Sequence, residues 1–327
     1  MRHRTSPYIA KSVAHSKQAG MMNPAPTLGS RRSTVTPAQS GLSSFAIPSR
    51  PLICAMACWA SMSTGASMAV KRLSDAQLEA FDTEHVSPAL WDMLVRRIDA
   101  QFPHGRLRFL DVGGGSGRFA DRLLARYPHA HGVVLDNSRL LLARNKPHAR
   151  KFLIEESAEN IGLLDGGYDL VFFNWVLHHL VGFDYRESVE NVVRTVHDAA
   201  YLLSDRGHIS IFENVYDGLL VANAPSHIIF RLTSANAIAP LIHRLGANTA
   251  RIGVCFQSKR AWERILHEAG MATVGFDEDE HKPVPWPWKA FLHVGNLRCG
   301  LFWGTSVLNQ SLPKYRLATT LDSLERH

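Results

Sequence analysis

Leu110-Asp111-Val112-Gly113-Gly114-Gly115-Ser116-Gly117 joins a short apolar run to a helical one, and its reading decides the fold. Arg106 to Val112 has the pattern of a strand and Gly117 to Tyr127 that of a helix. Glycines at such a junction let a ligand lie against bare backbone, while the helix that follows presents N–H groups with no intrahelical partner. Outward from this turn the alternation continues, with His131 to Asp136 a strand, Ser138 to Asn145 a helix and Lys151 to Glu155 a third strand. Tyr168 to Asn174 is the fourth, and its unbroken Leu170-Val171-Phe172-Phe173 suits a strand covered on both faces. A helix from about Tyr185 to Leu203 places Val189, Val192, Val193, Val196 and Ala200 on one side, and Gly207 to Glu213 makes a fifth strand. Strand and helix in alternation predict an α/β fold: a doubly wound, Rossmann-like, mostly parallel sheet with helices on both faces.

Both flanks depart from this rhythm. Ahead of the first strand, Ser74-Asp75-Ala76-Gln77 has the form of a capping box and Ser87-Pro88 that of an N-cap with proline in the first turn. Beyond the fifth strand, Leu219 to Leu245 is long, apolar and helical in spacing, and predicts a helical insertion over about 219–257. Ser258 to Glu268 is a further helix, with Met271 to Phe276 and Leu301 to Leu308 as closing strands. Trp286-Pro287-Trp288 and Phe302-Trp303 either line a pocket or pack.

Composition bounds the class of protein. Apolar residues make up 46% of the 327 and charged residues 20%, which fits a globular fold and excludes a wholly disordered or collagen-like chain. The formal charge of +7 is uneven, because Arg2, Arg4, Lys11, Lys17, Arg31, Arg32, Arg50, Lys71 and Arg72 all precede the first acid, Asp75. Residues 1–73 therefore read as a basic, Ser/Pro-rich disordered extension, and 74–327 as the folded domain with a net charge near −2. A domain so nearly neutral is not expected to bind nucleic acid. Cys54, Cys58, Cys255 and Cys299 form no C-x-x-C pair, the histidines are scattered, and no metal is expected. Without an apolar run long enough to span a bilayer, the chain is expected to be cytoplasmic, or organelle-targeted if the basic head is a transit segment.

Two cofactor readings fit the glycine turn taken alone. Gly115-Ser116-Gly117-Arg118-Phe119-Ala120 satisfies the G-x-G-x-x-A pattern of NAD(P)-dependent oxidoreductases. Asp111, two residues before Gly113, instead completes D-x-G-x-G-x-G, which resembles motif I of class I S-adenosylmethionine-dependent methyltransferases. Asp136 ends the second strand, where a carboxylate can accept both hydroxyls of a ribose, and it suits either cofactor. Gly167-Tyr168-Asp169-Leu170-Val171 followed by Val176-Leu177-His178-His179 resembles the methyltransferase-11/12-like small-molecule group, and the dinucleotide pattern does not call for it.

The resemblance assigns roles by position. It implies S-adenosyl-L-methionine as cofactor, with Asp111, Gly113, Gly115 and Gly117 at its methionine end and Asp136 with Asn137 at the ribose. Glu156, Ser157 and Ala158 stand where the family places an acidic segment beside adenine, with Ser157 replacing the usual Asp. Asn174 and Trp175 would lie beside the sulfonium, where an aromatic face stabilises positive charge. His178, His179 and Glu213 are the candidate acid–base or orienting groups at the acceptor. The expected acceptor is a small, apolar molecule, methylated by in-line displacement under the 219–257 insertion. A protein that keeps the fold without catalysis is the third reading, motivated by Ser157.

Overall fold

The computed structural model describes residues 86–240, 249 and 251–308. The predicted basic extension, and the capping box at Ser74, lie outside the described residues. The first described helix, α1 (Pro88–Gln101), starts as its sequence dictates: Ser87 Oγ accepts from the Leu90 N–H, and Pro88 occupies the first turn.

Seven strands form one sheet in the order β3-β2-β1-β4-β5-β7-β6. They are β1 (Arg108–Val112), β2 (His131–Asp136), β3 (Lys151–Glu155), β4 (Tyr168–Asn174), β5 (Leu203–Gly218), β6 (Met271–Glu278) and β7 (Val294–Ser306). The first five are parallel, and β7 runs antiparallel to both β5 and β6. Strand order reverses between β1 and β4, which opens a crevice at the carboxyl ends of those two strands.

Side chains alternate across the sheet and are buried on both faces, as the unbroken apolar run of β4 requires. Leu110, Val133, Val171, Phe173, Ile209 and Ile211 pack against α4 (Tyr185–Leu202) and α6 (Lys259–Glu268) on one face. On the other, Phe109, Val134, Leu170, Phe172 and Phe212 meet α1 and α2 (Arg118–Arg126). Phe172 anchors that second core through edge contacts with Phe109 and Phe119, at 6.0 and 5.1 Å between ring centres.

Four predicted elements need correction. The helix after β2 is a single turn, α3 (Arg139–Leu142), and its Ala143 and Arg144 N–H groups already bond back to Arg139 and Leu141. The fifth strand runs beyond Gly207–Glu213 at both ends: Leu203 pairs with Tyr168 of β4 at its start, and antiparallel pairing with β7 from His208 carries it on to Gly218. The insertion is not helical from Leu219. Residues 219–223 form a turn, α5 (Ala224–Ser234) follows it, and a 3-10 turn spans Asn236–Ile238. The helical spacing overruns because Leu219, Leu220 and Val221 are apolar yet exposed. Residues 241–248 lie outside the description. Ser258 caps α6 by accepting from the Ala261 N–H and β6 starts at Met271, both as expected, whereas β7 starts at Val294 and not at Leu301, because pairing with β5 extends it; β6 and β7 complete the sheet.

Candidate functional site

The crevice between β1 and β4 is floored by the glycine turn. Gly113, Gly115 and Gly117 all hold positive φ (70°, 52° and 72°), a region unfavourable to side chains, so the spacing of the three glycines is a backbone requirement. Their surroundings differ. A Cβ on Gly113 would meet Val176 Cγ2 at 2.6 Å, whereas on Gly115 its nearest neighbour would be Leu141 Cδ1 at 3.5 Å. Gly115 therefore has room for a Cβ beside Leu141 at ordinary van der Waals distance, whereas Gly113 has none.

Polar groups brace the turn from behind. Asn145 Nδ2 donates to the Gly115 carbonyl at 2.9 Å, and the buried Lys151 ammonium pairs with Asp121 of α2 at 2.6 Å. Asp136, at the end of β2, accepts from the N–H groups of Gly115 (2.9 Å) and Ser138 (2.8 Å). One carboxylate thus ties the turn to β2, and a carboxylate has lone-pair sites for further hydroxyl donors. Asn137 beside it is exposed.

Asp111 is 1% exposed, and Asn174 Nδ2 approaches its Oδ1 at 3.4 Å while Oδ2 has no partner among the described residues. Burial, reinforced by the charge of Asp136, pushes the Asp111 carboxyl up to about 8. A buried carboxylate oxygen with no donor suits a cationic group, and a protonated amine would supply both charge and hydrogen bond.

After β3, the Glu156 carboxylate accepts from the Ser157 N–H at 2.7 Å and from Asn160 Nδ2 at 2.9 Å, and so stabilises its own turn. The Ser157 hydroxyl donates to Glu159 at 3.2 Å, and Ser157 and Ala158 are both buried. Ser157 keeps the turn but offers no carboxylate.

Trp175 follows β4 with φ of 54°, its N–H bonded to the Phe212 carbonyl and its ring stacked on Phe212 at 5.5 Å. This left-handed step turns the chain into the 3-10 segment Leu177–His179. There His178 and Glu213 meet. His178 Nδ1 lies 2.7 Å from Glu213 Oε2, and the His178 N–H donates to Oε1 at 3.3 Å, with Glu213 fully buried. Pairing at Nδ1 directs the other ring nitrogen away from the carboxylate. Phe256 lies 4.5 Å from the His178 ring, and His179 4.1 Å on. Burial, together with neighbouring His178, holds His179 well below its usual range, so it stays neutral at physiological pH. The Glu213–His178 contact joins residues 35 apart in sequence, and parallel pairing of β4 with β5 creates it.

The predicted residues thus lie at the carboxyl ends of β1, β2, β3 and β4, with Glu213 within β5 just past its last residue paired with β4. Phe302 and Trp303 are buried core, whereas Trp286 is 73% exposed and packs into no pocket. A polar cluster passed unnoticed in the sequence. Tyr185 Oη accepts from Asn223 Nδ2 (2.7 Å), lies 3.0 Å from Ser226 Oγ and donates to Gln257 Oε1 (3.0 Å), which fastens α5 to α4. No spacing rule links these four positions, and only the fold assembles them.

A family model described as a methyltransferase domain matches residues 110–209. The malonyl-[acyl-carrier protein] O-methyltransferase of Paenibacillus sp. (strain JDR-2) is 20% identical over 187 residues, covering 54% of this chain and 59% of that protein. The chain thus spans about three fifths of the length of that curated relative. Among solved structures, a SAM-dependent methyltransferase of Leishmania major shares 18% identity at a TM-score of 0.48, covering 70% of this chain and 75% of its own. CalO1, a methyltransferase in calicheamicin biosynthesis solved with SAH bound, shares 17% at 0.40 and covers 70% and 60%. Of the two cofactor families left open by the glycine spacing, the matched model favours the methyltransferases over the oxidoreductases. With the glycine turn at the switch point of its sheet and a domain match running from Leu110 through the histidine turn to Ile209, the segment 110–209 is similar to a methyltransferase domain.

Proposed function

We propose that this chain transfers a methyl group from S-adenosylmethionine to a small, apolar acceptor. The observation that carries the proposal is the buried Asp111 Oδ2, left without a partner among the described residues beside a glycine turn held at positive φ. In this reading Asp111 holds the ammonium of the methionine end, and Gly113, Gly115 and Gly117 let that end approach the backbone. Asp136, with Asn137, receives the ribose, while Ser157, Ala158 and Glu156 bound the adenine end. Asn174 and Trp175 flank the sulfonium.

The cofactor supplies an already activated methyl group, so the protein's task is to position the acceptor and exclude water. Glu213 orients His178, and His178 is the group placed to take a proton where the acceptor must lose one. Neutral His179 is unsuited to donate one at neutral pH. Support for an apolar acceptor comes from α5, which follows β5 after the 219–223 turn and buries its own Ile229 and Phe230.

Titration calorimetry with S-adenosylhomocysteine and with NADH tests the cofactor, and binding of NADH alone would reverse the assignment. Labelled S-adenosylmethionine incubated with a metabolite extract tests the reaction. The acceptor is then identified from whichever compound gains the label.

A further inference from the structure

β3 is one edge of the sheet, and pairing with β2 leaves half of its main chain unused. The Gly132 N–H donates to the Arg150 carbonyl at 2.8 Å and the Glu156 N–H to the Asp136 carbonyl at 3.1 Å, so the even-numbered residues turn their main-chain groups toward β2. Those of Leu153 and Glu155, with the Lys151 carbonyl, face outward and have no partner among the described residues. The side chains on this edge are apolar too. Phe152 is 60% exposed, Leu153 45% and Leu163 82%. The link from β3 to β4 is only the 3-10 segment Ala158–Leu163, too short to cover that face, and it leaves a groove of about 470 Å³ lined in part by Phe152, Ile154, Leu163 and Tyr168.

The opposite edge is guarded against pairing. β6 carries a bulge between Thr273 and Gly275, and its Asp277 and Glu278 are held by Arg97 and Arg298. β3 pairs with β2 without a register shift and has no proline, and its centre is Phe152-Leu153-Ile154. Such an edge accepts an extended strand, and Lys151-Phe152-Leu153-Ile154-Glu155 is complementary to itself. Turned antiparallel about Leu153, it sets Phe152 opposite Ile154, Lys151 opposite Glu155 and Arg150 opposite Glu156, so no two like charges meet. Arg150 is already committed to the carbonyls that close α2, and Lys151 to Asp121. Charge therefore fixes only the register, and the attraction comes from main-chain bonds and apolar contact.

We propose that β3 pairs with β3 of a second copy of this chain about a two-fold axis at Leu153, joining the two sheets into one. Each Leu153 N–H donates to the partner's Leu153 carbonyl, and each Glu155 N–H to the partner's Lys151 carbonyl. Phe152 lies against the partner's Ile154 on the face of the groove, and the two Leu153 side chains meet on the other face. A contact of this symmetry is closed, so assembly stops at the dimer. None of the residues that supply these main-chain bonds is assigned to the cofactor or the acceptor, and the pairing does not depend on the methyltransferase reading.

Sedimentation velocity on the full chain should show a dimer that dissociates on dilution. Phe152→Lys puts a charge against the partner's Ile154, and Leu153→Pro removes an N–H that faces away from β2. Each is expected to weaken the dimer by about tenfold or more while the protein stays folded, as checked by its melting temperature. Leu153→Cys, oxidised in solution, should give a dimer whose tryptic peptide is joined to itself through position 153, because opposed residues of a hydrogen-bonded antiparallel pair lie about 5.5 Å apart, within disulfide reach. Wild type that stays monomeric at every concentration overturns the proposal, and slow hydrogen exchange at the Leu153 amide of that monomer would give the edge to another segment of this chain. A dimer that Phe152→Lys leaves intact, or one that does not cross-link at position 153, overturns it as well. S-adenosylhomocysteine affinity, measured in parallel, should be the same in wild type and variants. Its absence from wild type would refute the cofactor reading and leave the result on pairing standing.

Discussion

Replacing Asp111 by Asn should stabilise the unliganded protein and at the same time weaken cofactor binding. Burial raises the carboxyl from 3.8 to about 8, so the folded state prefers the protonated form and the unfolded chain the ionised one. A folded-state value above the unfolded value means the native state loses stability as pH climbs from about 4 to about 8, and no more above that. At roughly 1.36 kcal/mol per pH unit, the wild-type protein is penalised by about 4 kcal/mol at pH 7. Asn has nearly the shape of the protonated acid and does not ionise, which removes the penalty. The assay is thermal unfolding of both proteins from pH 5 to pH 9, expected to show a melting-temperature gap that opens with pH and levels off above pH 8. Calorimetry with S-adenosylhomocysteine should show the reverse ranking, because Asp111→Asn deprives the ammonium of its charged partner. Wild-type binding near pH 7 should also release protons, since a cation held at Oδ2 favours the ionised carboxylate. A pH-independent melting gap, or unchanged affinity in the variant, would refute the role given to this residue.

Other outcomes follow from the same site. Gly115→Val, at a position of positive φ where a Cβ meets only Leu141 at 3.5 Å, should yield folded protein that no longer binds S-adenosylhomocysteine, detected by calorimetry beside a circular dichroism spectrum. Gly117→Ala should instead destabilise by about 1–3 kcal/mol, because its Cβ would strike Asn145 and its φ is 72°; denaturant titration measures this. Glu213→Gln is expected to leave cofactor affinity unchanged, lower kcat by about tenfold or more and shift its pH profile, and an unaltered profile would remove His178 from the chemistry. Tyr185→Phe removes the phenol bonds to Asn223 and Gln257, which keep only their mutual contact at 3.1 Å, and should cost about 1–3 kcal/mol, read as faster proteolysis within α5.

The parallel half of the fold was legible because each of its strands is short, apolar and bounded by a turn signal. Tyr168–Asn174 and His131–Asp136 match the structure residue for residue for that reason. The antiparallel half was not. Val294 to Gly300 contains Gly295, Asn296 and Arg298 and has little strand character, yet pairing with Asn214 to Gly218 holds it extended. Long-range hydrogen bonding overrides local preference there. At the site, the glycine turn and Asp136 were readable from spacing. The ionisation state of Asp111 was not, since it depends on burial and on Asp136, which the sheet alone brings near. The Tyr185 cluster was likewise invisible, because its members come from three separate segments.

The placing of β7 between β5 and β6 has a bearing on how the chain comes off the ribosome. The strand that fills the middle of that half of the sheet is the last of the described strands to be made, so β5 has no neighbour on that side when it first emerges, and neither does β6. At about 5–20 residues per second, synthesis from the end of β5 to the start of β7 takes on the order of 4–15 seconds. Throughout that interval the edge carrying Ile209, Ile211 and Phe212 is open to any passing extended segment. Nascent chains halted before Val294 should therefore need a chaperone to stay in solution, and release of the final strand is the event that ends that need.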